Sequence, residues 1–101
     1  MFIADVAEGV EIPGDGTLSK KLVEAPVRVV LFAFDEGQEL TEHSTPRRVI
    51  IQVERGYLRI DVDGSTHEAR PGSWLYMEPN EPHSVLAVEP SIMLLTMLPA
   101  E

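Results

Sequence analysis

The sequence predicts an all-β protein, an antiparallel sandwich or barrel of short strands. Apolar and polar residues alternate with a period of two, most cleanly over residues 58–63. Turn signals recur between the alternating segments, among them Asp63-Gly64, which is typical of a two-residue hairpin, and Pro71-Gly72. No segment shows a sustained helical period with capping residues, so we expect helix to be nearly absent.

Six segments carry the strand pattern. They are residues 27–34, 48–54, 58–62, 73–77, 84–88 and 92–98. The first is apolar at nearly every position, which predicts a strand buried on both faces. The last is apolar on both faces except at Thr96. Short strands separated by such turns are typical of a sandwich or barrel.

The length of 101 residues predicts one domain. We assign residues 1–26 to N-terminal strands and a loop of that domain, and residues 27–101 to its barrel. Within the first part, residues 2–6 and 22–25 are candidate strands. Residues 8–19 contain one proline and several glycines and are expected to form a loop.

Composition narrows the partners and the compartment. The chain has no cysteine, which excludes thiol catalysis and a disulfide framework and fits a cytoplasmic protein. Its 17 acidic and 8 basic side chains give a net charge of −9, which disfavours nucleic acid as a partner. No signal-peptide pattern is present, and no apolar run approaches the roughly 18 residues of a membrane span, so no membrane partner is expected either.

The first predicted strand also bears on assembly. Residues 27–34 are too apolar to be left at an exposed sheet edge, where unpaired backbone groups invite association. A second chain would cover such an edge. We therefore expect a homodimer, with residues 1–26 at or near its interface.

Two histidines fall at turns between predicted strands. His43 precedes Ser-Thr-Pro, and His83 follows Pro82. They are 40 positions apart, so only a fold that brings distant strand ends together can pair them. Taken alone, a histidine at a strand end more often hydrogen-bonds a backbone carbonyl than binds a ligand.

The surrounding segments resemble the two motifs of the cupins. Residues 37–56 are similar to the first, which runs glycine, His-x-His, a glutamate and a closing glycine. Residues 72–83 are similar to the second, in which glycine leads to a Pro-x-x-Pro-His corner. The resemblance covers about residues 27–98 and implies a cupin-type jelly-roll β-barrel with both histidines facing its open end.

The resemblance also implies where a metal would sit. The four metal-binding positions of a typical cupin fall here on His43, Thr45, Val49 and His83. Only two are imidazoles, whereas a stable transition-metal site needs three or four ligands. The expected cofactor is therefore at most a weakly held divalent transition metal at the two histidines. Glu78 is the best substitute for the missing carboxylate.

Two aromatic residues complete the predicted site. Trp74 and Tyr76 alternate on one strand and are candidates for the mouth of the pocket, although such aromatics also fill cores and interfaces. His67 follows the hairpin turn and should be exposed, at the far end of a strand from the pocket. The predicted pocket residues are His43, Thr45, Val49, Trp74, Tyr76 and His83.

Three functions stay open from the sequence. The first is a small single-domain cupin that binds a small polar molecule in its barrel, with weak or no metal. The second is a metal-dependent cupin enzyme, of oxygenase or isomerase type, that uses His43 and His83 with a further carboxylate. The third is a non-catalytic structural or regulatory module. Because one fold serves many functions, the resemblance does not decide whether the protein is an enzyme.

Overall fold

The computed structural model describes residues 1–99, and within them it contains nine β-strands and no helix. The strands are β1 Thr17–Val23, β2 Arg28–Phe34, β3 Glu39–His43, β4 Val49–Arg55, β5 Leu58–Val62, β6 Ser65–Ala69, β7 Trp74–Met77, β8 His83–Ala87 and β9 Ser91–Met97. They form two antiparallel sheets with the orders β1-β2-β9-β4-β7 and β3-β8-β5-β6. The two sheets face each other as a jelly-roll barrel, which confirms the predicted fold class.

The alternating segments account for most of these strands. All six predicted segments form strands, and their bounds differ from the prediction by at most one residue at either end. The hairpin between β5 and β6 has φ angles of 48° at Asp63 and 85° at Gly64, the positive values that the predicted type I′ turn requires. Strands β1, β3 and β6 contain fewer apolar residues, and they do not correspond to any of the six predicted segments.

The N-terminal prediction is partly wrong. Residues 2–6 form no strand, and β1 begins inside the segment that was expected to be a loop. Instead of pairing at a sheet edge, the N-terminal segment packs against the outer face of the five-stranded sheet. There Ala7, with Val10 and Ile12 beside it, contacts a cluster that includes Leu31 and Ile92.

Two apolar cores therefore lie on opposite sides of one sheet. The principal core fills the space between the two sheets and contains Phe34, Ile51, Leu58 and Met93, each fully buried. The second core is the one beneath the N-terminal segment. Since β2 contributes to both, its predicted burial on both faces is explained.

The position of β2 contradicts the reason for which a homodimer was expected. β2 lies between β1 and β9, so both of its edges are hydrogen-bonded within the chain. The expectation that residues 27–34 would need a second chain to cover an edge is therefore wrong. The homodimer stays a prediction without that support.

None of the residues 1–99 belongs to a helix that is long and apolar enough to cross a membrane.

Candidate functional site

The two histidines form a directly opposed cross-strand pair of β3 and β8. Their ring centroids are 4.1 Å apart, with 62° between the ring planes. His83 shares its face of β8 with Val85 and Ala87, which are buried in the principal core, so the pair projects between the sheets. The fold thus brings together the histidines of two segments that are far apart in sequence.

Backbone carbonyls orient both rings. His43 Nδ1 lies 2.7 Å from the carbonyl oxygen of Thr41, and His83 Nδ1 lies 3.1 Å from that of Glu81. Because a carbonyl oxygen can only accept, Nδ1 carries the hydrogen in both rings and donates it. The Nε2 atoms remain for a ligand, as acceptors in the neutral rings and as donors when protonated.

The pair borders a cavity of about 480 Å³ between the sheets. Thr45 and Val49 border the same cavity, so the structure brings together four of the six predicted pocket residues. The rest of the lining is mostly apolar and includes Val30 and Leu95. A few polar groups on apolar walls are typical of a small-molecule site.

The structure places Trp74 and Tyr76 outside this cavity, and their assignment to it is corrected. In the pairing of β7 with β4, it is Leu75 and Met77 that share their face with core residues. Trp74 and Tyr76 therefore project from the opposite face, where they are 59% and 38% exposed and stack with ring centroids 6.4 Å apart. Both members of each neighbouring pair are apolar, so the sequence pattern did not define the inward face.

His67 is exposed on β6 and borders a different groove, as expected for a residue away from the histidine pair. This second groove has a volume of about 310 Å³ and lies along β6 and β7, with Trp74 at its border. Neither His43 nor His83 lines it.

The residues around the histidine pair do not fit a resident metal ion. Within residues 1–99, no group of three or more His, Cys, Asp or Glu side chains is placed to hold one. Glu78 does not line the cavity, and its carboxylate lies 3.5 Å from Nε of Arg48. The Thr45 hydroxyl accepts a hydrogen bond from the backbone N–H of Arg47 at 3.3 Å, and Val49 has no donor atom. Two imidazoles alone fall short of the three or four ligands required.

The cavity is also lined by two cationic side chains, Lys21 and Arg28, which were not predicted from the sequence. Lys21 opposes Val30, and Arg28 opposes Met97; both partners also line the cavity. Directly opposed side chains of antiparallel strands share a face, so both cations project toward the cavity. Within the described part of the chain, no aspartate or glutamate lines it. The available signal was parity along β2, in which Arg28 falls on the same face as Val30 and Phe32.

Burial makes His83 a source of pH dependence. The side chain is 3% exposed, and its desolvation lowers the pKa, as does the neighbouring His43, against the opposing effect of the Glu81 carbonyl. The unfolded chain has a histidine pKa of about 6.5, so it binds more protons than the folded chain between that value and the lower folded pKa. This contribution to stability is complete above about pH 6.5 and is lost as the pH falls through the folded pKa.

The expected result is a free energy of unfolding that decreases between about pH 7.5 and about pH 5.5, a window above the ordinary carboxylate range. Urea unfolding of the parent and of His83→Gln measures it, and the variant should show a flatter dependence. His67→Gln, which removes an exposed histidine, is the control and should keep the parental slope. An equal slope in His83→Gln and the parent would contradict the prediction.

Comparison with known proteins extends this picture. A family model described as AraC-like ligand binding domain matches residues 26–94. A conserved protein of unknown function from Streptococcus pyogenes is 31% identical with a TM-score of 0.91, and the match covers 99% of this chain and 89% of that chain. An RmlC-like cupin protein from Desulfovibrio desulfuricans is 28% identical with a TM-score of 0.87, over 98% and 97% of the two chains.

A cupin superfamily protein from Desulfitobacterium hafniense shares the fold at 21% identity, with a TM-score of 0.88 over 93% of this chain and 87% of that one. A comparison with curated proteins found no match. The family model spans both motif segments and both histidines of the cavity. The chain therefore belongs to the AraC-like ligand-binding domain family, within the cupin superfamily.

Proposed function

We propose that the protein binds a small organic molecule in the cavity between its sheets, without a resident metal. The observation that carries the proposal is the histidine pair, which is oriented by two backbone carbonyls toward a cavity but lacks further metal ligands. Fixed rings offer their Nε2 atoms as hydrogen-bonding groups of defined direction. The family description, an AraC-like ligand binding domain, supports binding as the primary role.

The size and lining of the cavity support a small amphipathic ligand. A volume of about 480 Å³ lies within the range of roughly 300–1,000 Å³ that is typical of ligand pockets. The apolar wall, formed by residues such as Val30, Leu95 and Met97, would contact the body of the ligand. The histidines would hydrogen-bond one polar group and so fix its orientation.

A metal-dependent enzyme is the second candidate, and one observation favours it. Metal-bound histidines almost always donate their other ring N–H to a carbonyl or carboxylate, as His43 and His83 do here. The number of ligands argues against it. A structural or regulatory module is the third candidate, and it predicts no binding in the cavity at all.

A cavity-filling variant tests the proposal. Leu40 is half-buried and lines the cavity, so Leu40→Trp should fill part of it. Titration with hexan-1-ol should shift the NMR signals of both histidine rings in the parent, and Leu40→Trp should weaken this binding by about tenfold or more, since overpacking leaves less room for the probe.

Leu18→Trp is the matched control. Leu18 is 39% exposed and opposes Ala33, a member of the second core, so its side chain lies on the other face of the sheet. This variant should bind hexan-1-ol as the parent does. Equal binding by Leu40→Trp, with both variants folded by circular dichroism, would reject the cavity as the binding site. If neither hexan-1-ol nor its charged six-carbon analogues bind the parent, the structural module is favoured.

A further inference from the structure

We infer that the ligand carries an anionic head group, a carboxylate or a phosphate monoester, which Lys21 and Arg28 bind at the edge of the cavity. The inference rests on the proposed function, because it names the chemical class of the molecule bound there. It adds a head-group specificity that the histidine pair alone does not provide.

Strand register places the two cations side by side. Lys21 on β1 opposes Val30, and Arg28 lies two residues before Val30 on β2, on the same face. The two are therefore diagonal neighbours, next to a register shift between Lys21 and Val23. In a regular antiparallel pair such neighbours are about 7–8 Å apart. Both side chains are long enough to reach one anionic group from that distance. Arginine adds a planar fork that matches the paired oxygens of a carboxylate or phosphate.

The cavity lining differs in charge from the protein as a whole. The chain carries a net charge of −9, yet the cavity lining contains Lys21, Arg28 and two histidines and, among the described residues, no carboxylate. Two of the eight lysine and arginine side chains thus give the cavity lining a positive charge in a protein that is acidic overall. Such local complementarity attracts anions and repels cations of similar size.

The cations are available to a ligand. Arg28 forms no ion pair with any residue in the range 1–99. Lys21 Nζ lies 3.2 Å from a carboxylate oxygen of Glu24, but the two side chains are 60% and 70% exposed. Since an exposed ion pair contributes little, a bound anion can replace or share that contact.

The apolar lining defines the rest of the molecule. Beside the cations, the same inner face presents Val30, Leu95 and Met97, and the nearly buried His83 also lines the cavity. A ligand with its anionic group at Lys21 and Arg28 would place its body along these residues. The inferred class is therefore a small amphipathic anion, with an apolar body several carbons long.

A matched six-carbon series tests head-group specificity at constant apolar body. The probes are hexanoate, hexyl phosphate, hexan-1-ol and hexylammonium, each titrated against the full chain by NMR. The better of the two anions should bind about tenfold or more tightly than hexan-1-ol, and hexylammonium should bind most weakly. The ranking of hexanoate against hexyl phosphate then assigns the head group.

Charge-neutralising variants test the location. Lys21→Gln and Arg28→Gln should each weaken binding of the preferred anion by about three- to tenfold and leave hexan-1-ol unchanged. The matched controls are Lys20→Gln and Arg55→Gln, which remove the same charges from exposed positions outside the cavity lining. Lys20 neighbours Lys21 on β1 and opposes Leu31 of the second core, so it lies on the other face.

The outcomes distinguish the inference from the proposed function. If hexan-1-ol binds as tightly as both anions, the anionic class is wrong. If the Gln variants of Lys21 and Arg28 keep the anion preference, these two residues do not bind the head group. In either case binding in the cavity stands. If none of the four probes binds, the proposed function fails, and the inference fails with it.

Discussion

Replacing Thr45 with histidine and Val49 with glutamate is expected to raise the affinity for zinc or manganese by a factor of about a thousand or more. Both positions line the cavity together with His43 and His83, so the variant gains a third imidazole and a carboxylate. Four ligands complete the set that two imidazoles lack. Competition titration against a chelator of known affinity measures the change.

The same variant should couple metal binding to folding. Val49 is 1% exposed in the principal core, so a glutamate there is costly in the metal-free protein. Zinc should then raise the unfolding temperature of the variant far more than that of the parent. The control adds His83→Gln to the two substitutions, which removes one ligand and should abolish most of the gain.

One result would overturn the reasoning behind this prediction. If the parent protein already retains one equivalent of metal through dialysis against a chelator, a further ligand completes the site. Glu78 is the first residue to test, by Glu78→Gln, although its carboxylate lies beside Arg48 in the structure. The metal-dependent enzyme would then replace the metal-free binding domain as the better hypothesis.

Gly56→Ala is expected to destabilise the fold by about 4 kcal/mol or more, a large effect for a single methyl group. Gly56 has a φ of +86°, and a Cβ there would lie 2.3 Å from the carbonyl oxygen of Pro90 and 2.3 Å from Oγ of Ser91. Ser91 has little freedom to move. It is fully buried, its Oγ accepts from the backbone N–H of Tyr57 at 2.9 Å, and it donates to the carbonyl of Glu89 at 2.7 Å.

Gly64→Ala is the matched control for this substitution. Gly64 has nearly the same φ, +85°, but a Cβ there would meet nothing within 4 Å. It should therefore show only the backbone cost of a positive φ, about 1–2 kcal/mol. Urea unfolding of both variants separates the two contributions, and equal losses would show that contact with Ser91 is unimportant. Gly56 closes the first motif, and packing explains why glycine occupies this position: a Cβ has no room beside Pro90 and Ser91.

The strands were predictable where alternation and turn chemistry agreed. Residues 58–63 alternate cleanly and end in a hairpin turn, and β5 has the predicted bounds. The N-terminal segment offered no such agreement. Its apolar residues, such as Ala7 and Ile12, lie in irregular chain that covers a sheet, and no period in sequence distinguishes this arrangement from a strand.

The part of the site that lies within the two cupin-like motifs was predictable from the sequence. His43, Thr45, Val49 and His83 came from the cupin resemblance, and all four line one cavity. The parity of Arg28 along β2 was a signal in the sequence, whereas the inward position of Lys21 depends on how β1 pairs with β2, which is a tertiary property. Because the sequence around Lys21 is polar at most positions, no inward face could be assigned to it in advance.

The alternation along β2 has a consequence for how such a protein can change. Even-numbered residues, from Arg28 through Val30 to Phe34, face the space between the sheets, while Leu31 and Ala33 face the N-terminal segment. Substitutions at one parity can alter what the cavity accepts without disturbing the second core beneath the N-terminal segment. One strand thus carries two independent sets of constraints, and recognition can diverge among relatives while the shell that supports it stays constant.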